Sequence, residues 1–126
     1  MESRSFLPPE DTFNWTAGIF HLDERLTGFV DAFLSSSDEL AFCQIAGHSY
    51  DLDTENMWGV MEDIFQKISA DFEVLPMTTI ELIEYLRAMR NVEITGQRIQ
   101  NNSGIGLWFQ IDGKIYEIAA GQGIDL

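Results

Sequence analysis

One histidine of this chain lies where an apolar segment gives way to polar residues. The segment FCQIAGHSYDLD, residues 42–53, places His48 just after an apolar run and just before Tyr50, Asp51 and Asp53. Histidine exchanges a proton near neutral pH, so a histidine at the mouth of a strand suits general acid or base catalysis. The alternative is structural, with the ring satisfying backbone groups at the strand end. Both interpretations stay open on the sequence.

The chain has 2 histidines and 1 cysteine, which limits its metal and nucleophile chemistry. His21 precedes a predicted helix, and a role at the start of that helix is favoured over a ligand role. Cys43 lies in the apolar run, where a lone thiol is more typical of packing than of a nucleophile. A catalytic zinc generally takes three protein ligands. The histidines would therefore need a carboxylate, for which the candidates are Asp23, Asp51 and Asp53.

The charge of the chain excludes several classes of partner. It carries 7 Lys+Arg against 21 Asp+Glu, a net charge of -14 at pH 7. Such a field repels phosphate groups, so we expect no binding to nucleic acid or to anionic membranes. No apolar stretch reaches the length of a signal peptide or of a membrane span. We therefore expect a cytoplasmic protein, unless the sequence is a piece of a longer exported one.

Helices and short strands alternate in the prediction for the first part of the chain. Residues 1–12 are predicted to be an irregular arm. A helix is predicted from Asp23, with apolar residues at intervals of three and four, and the segment SSSD at 35–38 ends it. Leu40–Ile45 is short and apolar, which predicts a strand buried on both faces. A second helix is predicted over 54–70, with an inner face of Trp58, Met61, Phe65 and Ile68 and an outer Asp63–Lys67 ion pair.

The following segment combines a weak strand signal with a strong helix signal. Phe72–Leu75 is a candidate strand. Thr78 and Glu81 have the spacing of a capping box, which predicts the start of a helix that reaches Arg90. The apolar stripe of that helix consists of Leu82, Ile83, Leu86 and Met89.

The last 30 or so residues are β-prone and rich in turn residues. Asp112-Gly113 between LWFQI and KIYEI predicts a hairpin, because both positions favour residues that tolerate positive φ. Thr95-Gly96 predicts a smaller hairpin. Trp108 lies on the opposite face of its strand from Leu107 and Phe109, so it is the best candidate for an exposed aromatic residue or for a contact with another subunit.

Three segments together resemble one known family. They are FNWTAGIFHLDERLTGFVDAFL, LAFCQIAGHSYDLDTENMWGVMEDIFQKI and FEVLPMTTIELIEYLRAMRNVEI. In order and spacing they resemble the C-terminal part of the polysaccharide deacetylases, the NodB-homology family of sugar de-N-acetylases. The most specific match is GHSYDLD followed five residues later by Trp58. The resemblance covers residues 13–120.

The resemblance implies a distorted (β/α) barrel that binds a divalent metal and hydrolyses acetamides on carbohydrates. In that family an aspartate and two histidines of the N-terminal half hold the metal, and a neighbouring aspartate is the general base. A histidine at the end of a late strand is the general acid, and His48 occupies the matching position. This sequence has no counterpart of the metal-binding half. No metal ligand is therefore assigned, and zinc would bind only with residues from a missing half or a partner.

The predicted fold is α/β. It is a partial (β/α) barrel-like layer of βα units over 13–95, followed by a C-terminal antiparallel β-hairpin extension over 96–126, in a single domain over 13–126. We expect a homodimer or a partner chain to complete it, because open sheet edges and apolar faces are avoided in soluble proteins.

The predicted function is that of a polysaccharide deacetylase-like chain truncated to its C-terminal half and weak or inactive alone. His48 is the predicted catalytic residue, and Tyr50, Asp51 and Trp108 are the predicted substrate contacts. The alternative is a noncatalytic carbohydrate-binding or protein-interaction module.

Overall fold

The structure, a computed structural model, describes residues 6–15, 18–36 and 40–126, which form two compact units divided between Leu75 and Pro76. The first unit contains β1 (Gly18–Phe20), α1 (Leu26–Leu34), β2 (Gln44–Ala46), α2 (Ser49–Thr54) and α3 (Trp58–Ser69). The second contains α4 (Thr79–Arg90), β3 (Glu93–Thr95), β4 (Arg98–Gln100), β5 (Leu107–Ile111), β6 (Lys114–Ile118) and β7 (Gly123–Asp125). The predicted arm and single domain stay predictions, and residues 1–5 of that arm and Ser37 and Asp38 lie outside the described residues.

The first unit is built on a βαβ arrangement. Strands β1 and β2 pair in parallel, with Ile19 opposite Ile45, and α1 connects them along the chain. The core beneath them consists of Phe6, Ile19, Leu26, Phe29, Val30, Met61 and Ile64. Helix and strand are thus mixed as predicted for an α/β chain. The sheets are small, however, and no closed barrel forms among the described residues.

Two predictions for the strand that precedes His48 are wrong. The strand is Gln44–Ala46 rather than Leu40–Ile45, and it is only half-buried. The physical reason is that β2 has a single neighbouring strand, β1, in the described part of the chain. A two-stranded sheet offers too little cover for burial on both faces. Leu40, at the start of the predicted strand, is 44% exposed.

The predicted helix over 54–70 is α3, which begins later than predicted, at Trp58, and α2 before it was not predicted. The chain breaks between them at Asn56, whose φ of 53° lies outside the helical region. Met61 and Ile64 form the buried face of α3, whereas Trp58 and Phe65 of the predicted inner face are exposed. The apolar stripe is thus rotated from the predicted one.

Two smaller predictions around α3 also fail. Lys67 forms its ion pair with Asp31 of α1 rather than with Asp63. The neighbouring helix therefore supplies the carboxylate that the sequence spacing placed on α3 itself. Phe72–Leu75 forms no strand, and Phe72 is 95% exposed.

The second unit confirms the local signals. Thr78 and Glu81 form both hydrogen bonds of a capping box at the start of α4. Strands β5 and β6 form the predicted hairpin, with Asp112 at φ 50° and Gly113 at φ 75°. The smaller hairpin joins β3 to β4, and β7, which was not predicted, pairs with β4. Tyr85, Ala88 and Leu107 form the buried cluster between α4 and the hairpin.

Candidate functional site

The parallel pair β1 and β2 brings the two histidines of the chain to one edge of the sheet. His21 follows the last residue of β1, and His48 comes two residues after the end of β2. The backbone N–H of His21 donates to the carbonyl oxygen of Ala46 at 2.9 Å, which holds the two strand ends together. Side chains separated by 27 positions therefore lie side by side, at the carboxyl ends of parallel strands, where α/β proteins place ligand-binding residues.

A single carboxylate lies between the two rings. Asp51 is in the first turn of α2, and its Oδ2 is 3.3 Å from Nδ1 of His48 and 3.4 Å from Nε2 of His21. The His48 side chain is 58% exposed, whereas those of Asp51 and His21 are 14% and 4% exposed. We call these three residues the histidine–aspartate cluster. It runs from solvent into the protein.

Gly47 makes room for the buried ring of the cluster. A Cβ built on Gly47 would lie 1.3 Å from Nδ1 of His21, far inside any contact distance. The backbone between β2 and His48 therefore passes directly against the imidazole. Any side chain at position 47 would displace either that ring or the backbone.

Aromatic rings flank His48 at the surface. Tyr50 stacks on it, with centroids 5.0 Å apart and planes inclined by 11°, and Phe20 meets it edge-on at 5.7 Å. Tyr50 is 62% exposed and Phe20 41% exposed. Two partly exposed aromatic rings therefore border the exposed imidazole.

The geometry of His48 fits proton transfer. Its Nδ1 faces Asp51, and its Nε2 makes no hydrogen bond to any described residue. A carboxylate at one ring nitrogen selects the tautomer and fixes the ring, which is the arrangement that prepares the other nitrogen for acid or base work. The cluster therefore has an oriented imidazole at the surface.

The described residues do not provide the metal site that the family resemblance implies. No group of three histidine, cysteine, aspartate or glutamate side chains among them could hold a metal ion. Of the carboxylates proposed as ligands, Asp23 pairs with Arg25 and Asp53 accepts a hydrogen bond from Nε1 of Trp58 at 2.7 Å. Only Asp51 approaches the histidines.

Cys43 is not prepared for nucleophilic chemistry. Burial raises the pKa of its thiol to about 11. At neutral pH the reactive thiolate is then a very small fraction of the population. This supports the prediction that Cys43 is a packing residue, and it packs beside the first core.

The predicted substrate contacts fall in both units. Tyr50 and Asp51 lie next to His48, and Asp51 is engaged with the two rings. Trp108 belongs to β5 of the second unit, is 43% exposed, and lies across the hairpin from Glu117. Its backbone N–H donates to the hydroxyl of Tyr85 at 3.1 Å.

Sequence reasoning missed Phe20 and the position of His21. Strand β1 has three residues, GIF, and offers too short a pattern to predict. Had β1 been predicted, its parallel pairing with β2 would have placed His21 beside His48.

No protein-family model, curated protein or solved structure matches the chain. The resemblance to the polysaccharide deacetylases therefore stays a prediction. Within the described residues, no helix has both the length and the apolar character needed to cross a membrane.

Proposed function

We propose that this chain is a polysaccharide deacetylase-like protein in which His48 is the general acid for de-N-acetylation of carbohydrate, with little activity by itself. One observation carries the proposal. His48 lies at the carboxyl end of a strand with its ring exposed and with Nδ1 facing a carboxylate, so Nε2 is available to a substrate. The pair β1 and β2 would then be two strands of the barrel-like layer.

The proton transfer follows from that orientation. Hydrolysis of an acetamide passes through a tetrahedral intermediate, formed when water adds to the carbonyl carbon and gives one proton to a base, which is supplied from outside the described residues. The C–N bond breaks as the nitrogen takes a proton from Nε2–H of the His48 imidazolium, which leaves neutral imidazole, a free amine on the sugar and acetic acid, which ionises to acetate in water. Asp51 accepts a hydrogen bond from Nδ1–H throughout and stabilises the imidazolium before the transfer.

The cluster covers only part of this reaction. The base and the metal ion that the resemblance implies are not assembled by the described residues. General acid catalysis alone contributes roughly 100- to 10,000-fold, a small share of a typical enzymatic acceleration. A low rate for the isolated chain is therefore part of the proposal.

The test is acetate release from chitotetraose, a neutral N-acetylated oligosaccharide, in the presence of zinc. We expect slow release by the wild-type chain and a decrease of about 100-fold or more in His48→Gln, which cannot transfer a proton. Glu55→Gln is the matched control, since Glu55 is an exposed carboxylate just after α2. Equal rates for His48→Gln and wild type would exclude His48 as the acid.

A second candidate function is noncatalytic carbohydrate binding through Trp108. This candidate rests on the exposed indole of Trp108, which lies on the β5–β6 hairpin opposite Glu117. Here calorimetric binding of chitotetraose would be lost in Trp108→Ala and kept in His48→Gln, with no acetate released by either protein. Binding that depends on His48 would contradict this second candidate.

A further inference from the structure

His21 has a role that the proposed proton transfer does not use. His21 as a whole residue is 3% exposed, and its Nδ1 lies 3.3 Å from the carbonyl oxygen of Ala46. Its Nε2 lies 3.4 Å from Oδ2 of Asp51, close enough for an ion pair, yet it makes no hydrogen bond to a described residue. Both ring nitrogens of this buried imidazole thus face oxygen atoms.

The two oxygens determine which protonation state of the His21 ring is favourable. A backbone carbonyl and a carboxylate are both acceptors. A neutral imidazole carries one N–H, so it would present a lone pair to one of the two oxygens inside the protein, which is unfavourable. The doubly protonated ring carries an N–H toward each oxygen. It also sets a positive charge beside the nearly buried carboxylate of Asp51, as buried charges require.

We propose that His21 is a positioning residue for His48: a buried imidazolium that holds the carboxylate of Asp51 beneath Nδ1 of the exposed ring. The proposal rests on the proposed function only in the assignment of His48 as the acid. Asp51 is the single link, because the same Oδ2 atom faces both rings. Without the buried cation, we expect the carboxylate to lose its fixed position beneath Nδ1 of His48.

The neighbouring residues support this assignment. Gly47 leaves the space in which the His21 ring lies against the strand end, since a Cβ there would overlap Nδ1. The two other aspartates that the sequence offers near the histidines have partners of their own. Asp23, in the turn before α1, is bound by Arg25, and Asp53 of α2 is bound by Trp58. The charge that faces His21 is therefore that of Asp51.

The test is nitrogen-15 NMR of the imidazole rings in the full chain at neutral pH. With 2 histidines in the sequence, the His21→Gln and His48→Gln variants assign every ring signal. In the wild type we expect both nitrogens of His21 to carry hydrogens. We expect the Nδ1 hydrogen of His48 to be fixed in both the neutral and the protonated form of that ring, since only its Nε2 exchanges a proton in the proposed reaction. In His21→Gln we expect the His48 signals to move to the averaged pattern of a free imidazole.

Asp51→Asn provides a second test that leaves the buried ring in place. It should remove one hydrogen from His21 and release the His48 ring at the same time. Asp53→Asn is the matched control on the same helix and should change neither ring. These readouts need no substrate, so they separate this proposal from the proposed function.

Two results would overturn the positioning role. One is a wild-type His21 ring with a single hydrogen. The other is a His48 ring that keeps a hydrogen fixed at Nδ1 in His21→Gln while the first unit remains folded, as judged by unchanged methyl signals of the buried Val30 and Ile64. Should His21→Gln fail to fold, the wild-type ring and Asp51→Asn still decide the matter. A missing acetate signal in the assay above would bear on the proposed function alone.

Discussion

Single polar side chains organise both units of this protein. In the first unit Asp51 joins a buried imidazole to an exposed one. In the second unit Asn101, which is 0% exposed, holds a loop together: its Nδ2 lies 2.8 to 3.1 Å from the carbonyl oxygens of Ile105, Ile118 and Ala119. Its Oδ1 accepts from the backbone and the hydroxyl of Ser103. A buried amide that satisfies this many groups is costly to replace.

Removal of that amide should destabilise the protein strongly. We expect Asn101→Ala to lower the free energy of unfolding by about 3 kcal/mol, because buried carbonyl oxygens then lose their donors. Urea denaturation measures the change. Asn102→Ala is the control, since Asn102 is exposed, and it should change the stability by less than about 0.5 kcal/mol. Equal effects of the two substitutions would contradict the role given to Asn101.

At the scale of elements, helix α4 shows what a complete cap contributes. The hydroxyl of Thr78 accepts from the backbone N–H of Glu81, and the carboxylate of Glu81 accepts from the backbone N–H of Thr78 at 2.7 Å. Hydrogen bonds from Thr78 lower the pKa of the Glu81 carboxyl below its ordinary value. The charged form of Glu81 is therefore favoured in the folded state.

The stability contributed by this cap should depend on pH. Because the folded pKa of Glu81 is the lower one, its contribution is complete above the pKa of the unfolded chain and is lost as the pH falls through the folded value. Glu81→Gln should thus destabilise the protein at neutral pH and cost progressively less in acid, as read from urea midpoints.

Two further variants complete this experiment. Thr78→Ala removes the other half of the cap and should cost about 1 kcal/mol. Glu84→Gln, at an exposed position on the same helix, is the control and should show no comparable pH dependence. A Glu81→Gln effect that stays constant from neutral to acidic pH would show that the carboxylate is not a capping group.

At the scale of the whole molecule, the net charge bears on which class of carbohydrate the proposed function would use. A net charge of -14 repels polyanionic sugars such as those rich in carboxylates or sulfates. A neutral N-acetylated oligosaccharide meets no such barrier, and its deacetylated product is a cation, which the same field attracts. The neutral class therefore suits both the charge and the aromatic surroundings of His48.

Prediction from the sequence succeeded where the deciding contacts are local. The capping box of Thr78 and Glu81 and the turn at Asp112-Gly113 each depend on residues within four positions of one another, so their spacing is sufficient evidence. The predicted helix from Asp23 is likewise confirmed as α1, because its apolar period is long enough to read.

Prediction failed where distant segments decide. The inner face of α3 is set by its packing in the first core, which buries Ile64 and leaves Phe65 at the surface. His48 could be predicted as a site residue because the residues around it in the sequence are sufficient evidence. The contact of His21 with Asp51 depends on the pairing of β1 with β2, whose partner residues, such as Gly18 and Gln44, are 26 positions apart in the chain. No local sequence pattern predicts such a contact.

The most direct measurement for the central claim is an NMR titration of the wild-type chain with chitotetraose, followed at the histidine rings. We expect saturable shifts of the His48 and Tyr50 ring signals and no shift of the buried side-chain amide of Asn101. Shifts confined to Trp108 and its neighbours, or no shift at His48 at any concentration, would contradict the claim that this histidine faces the sugar.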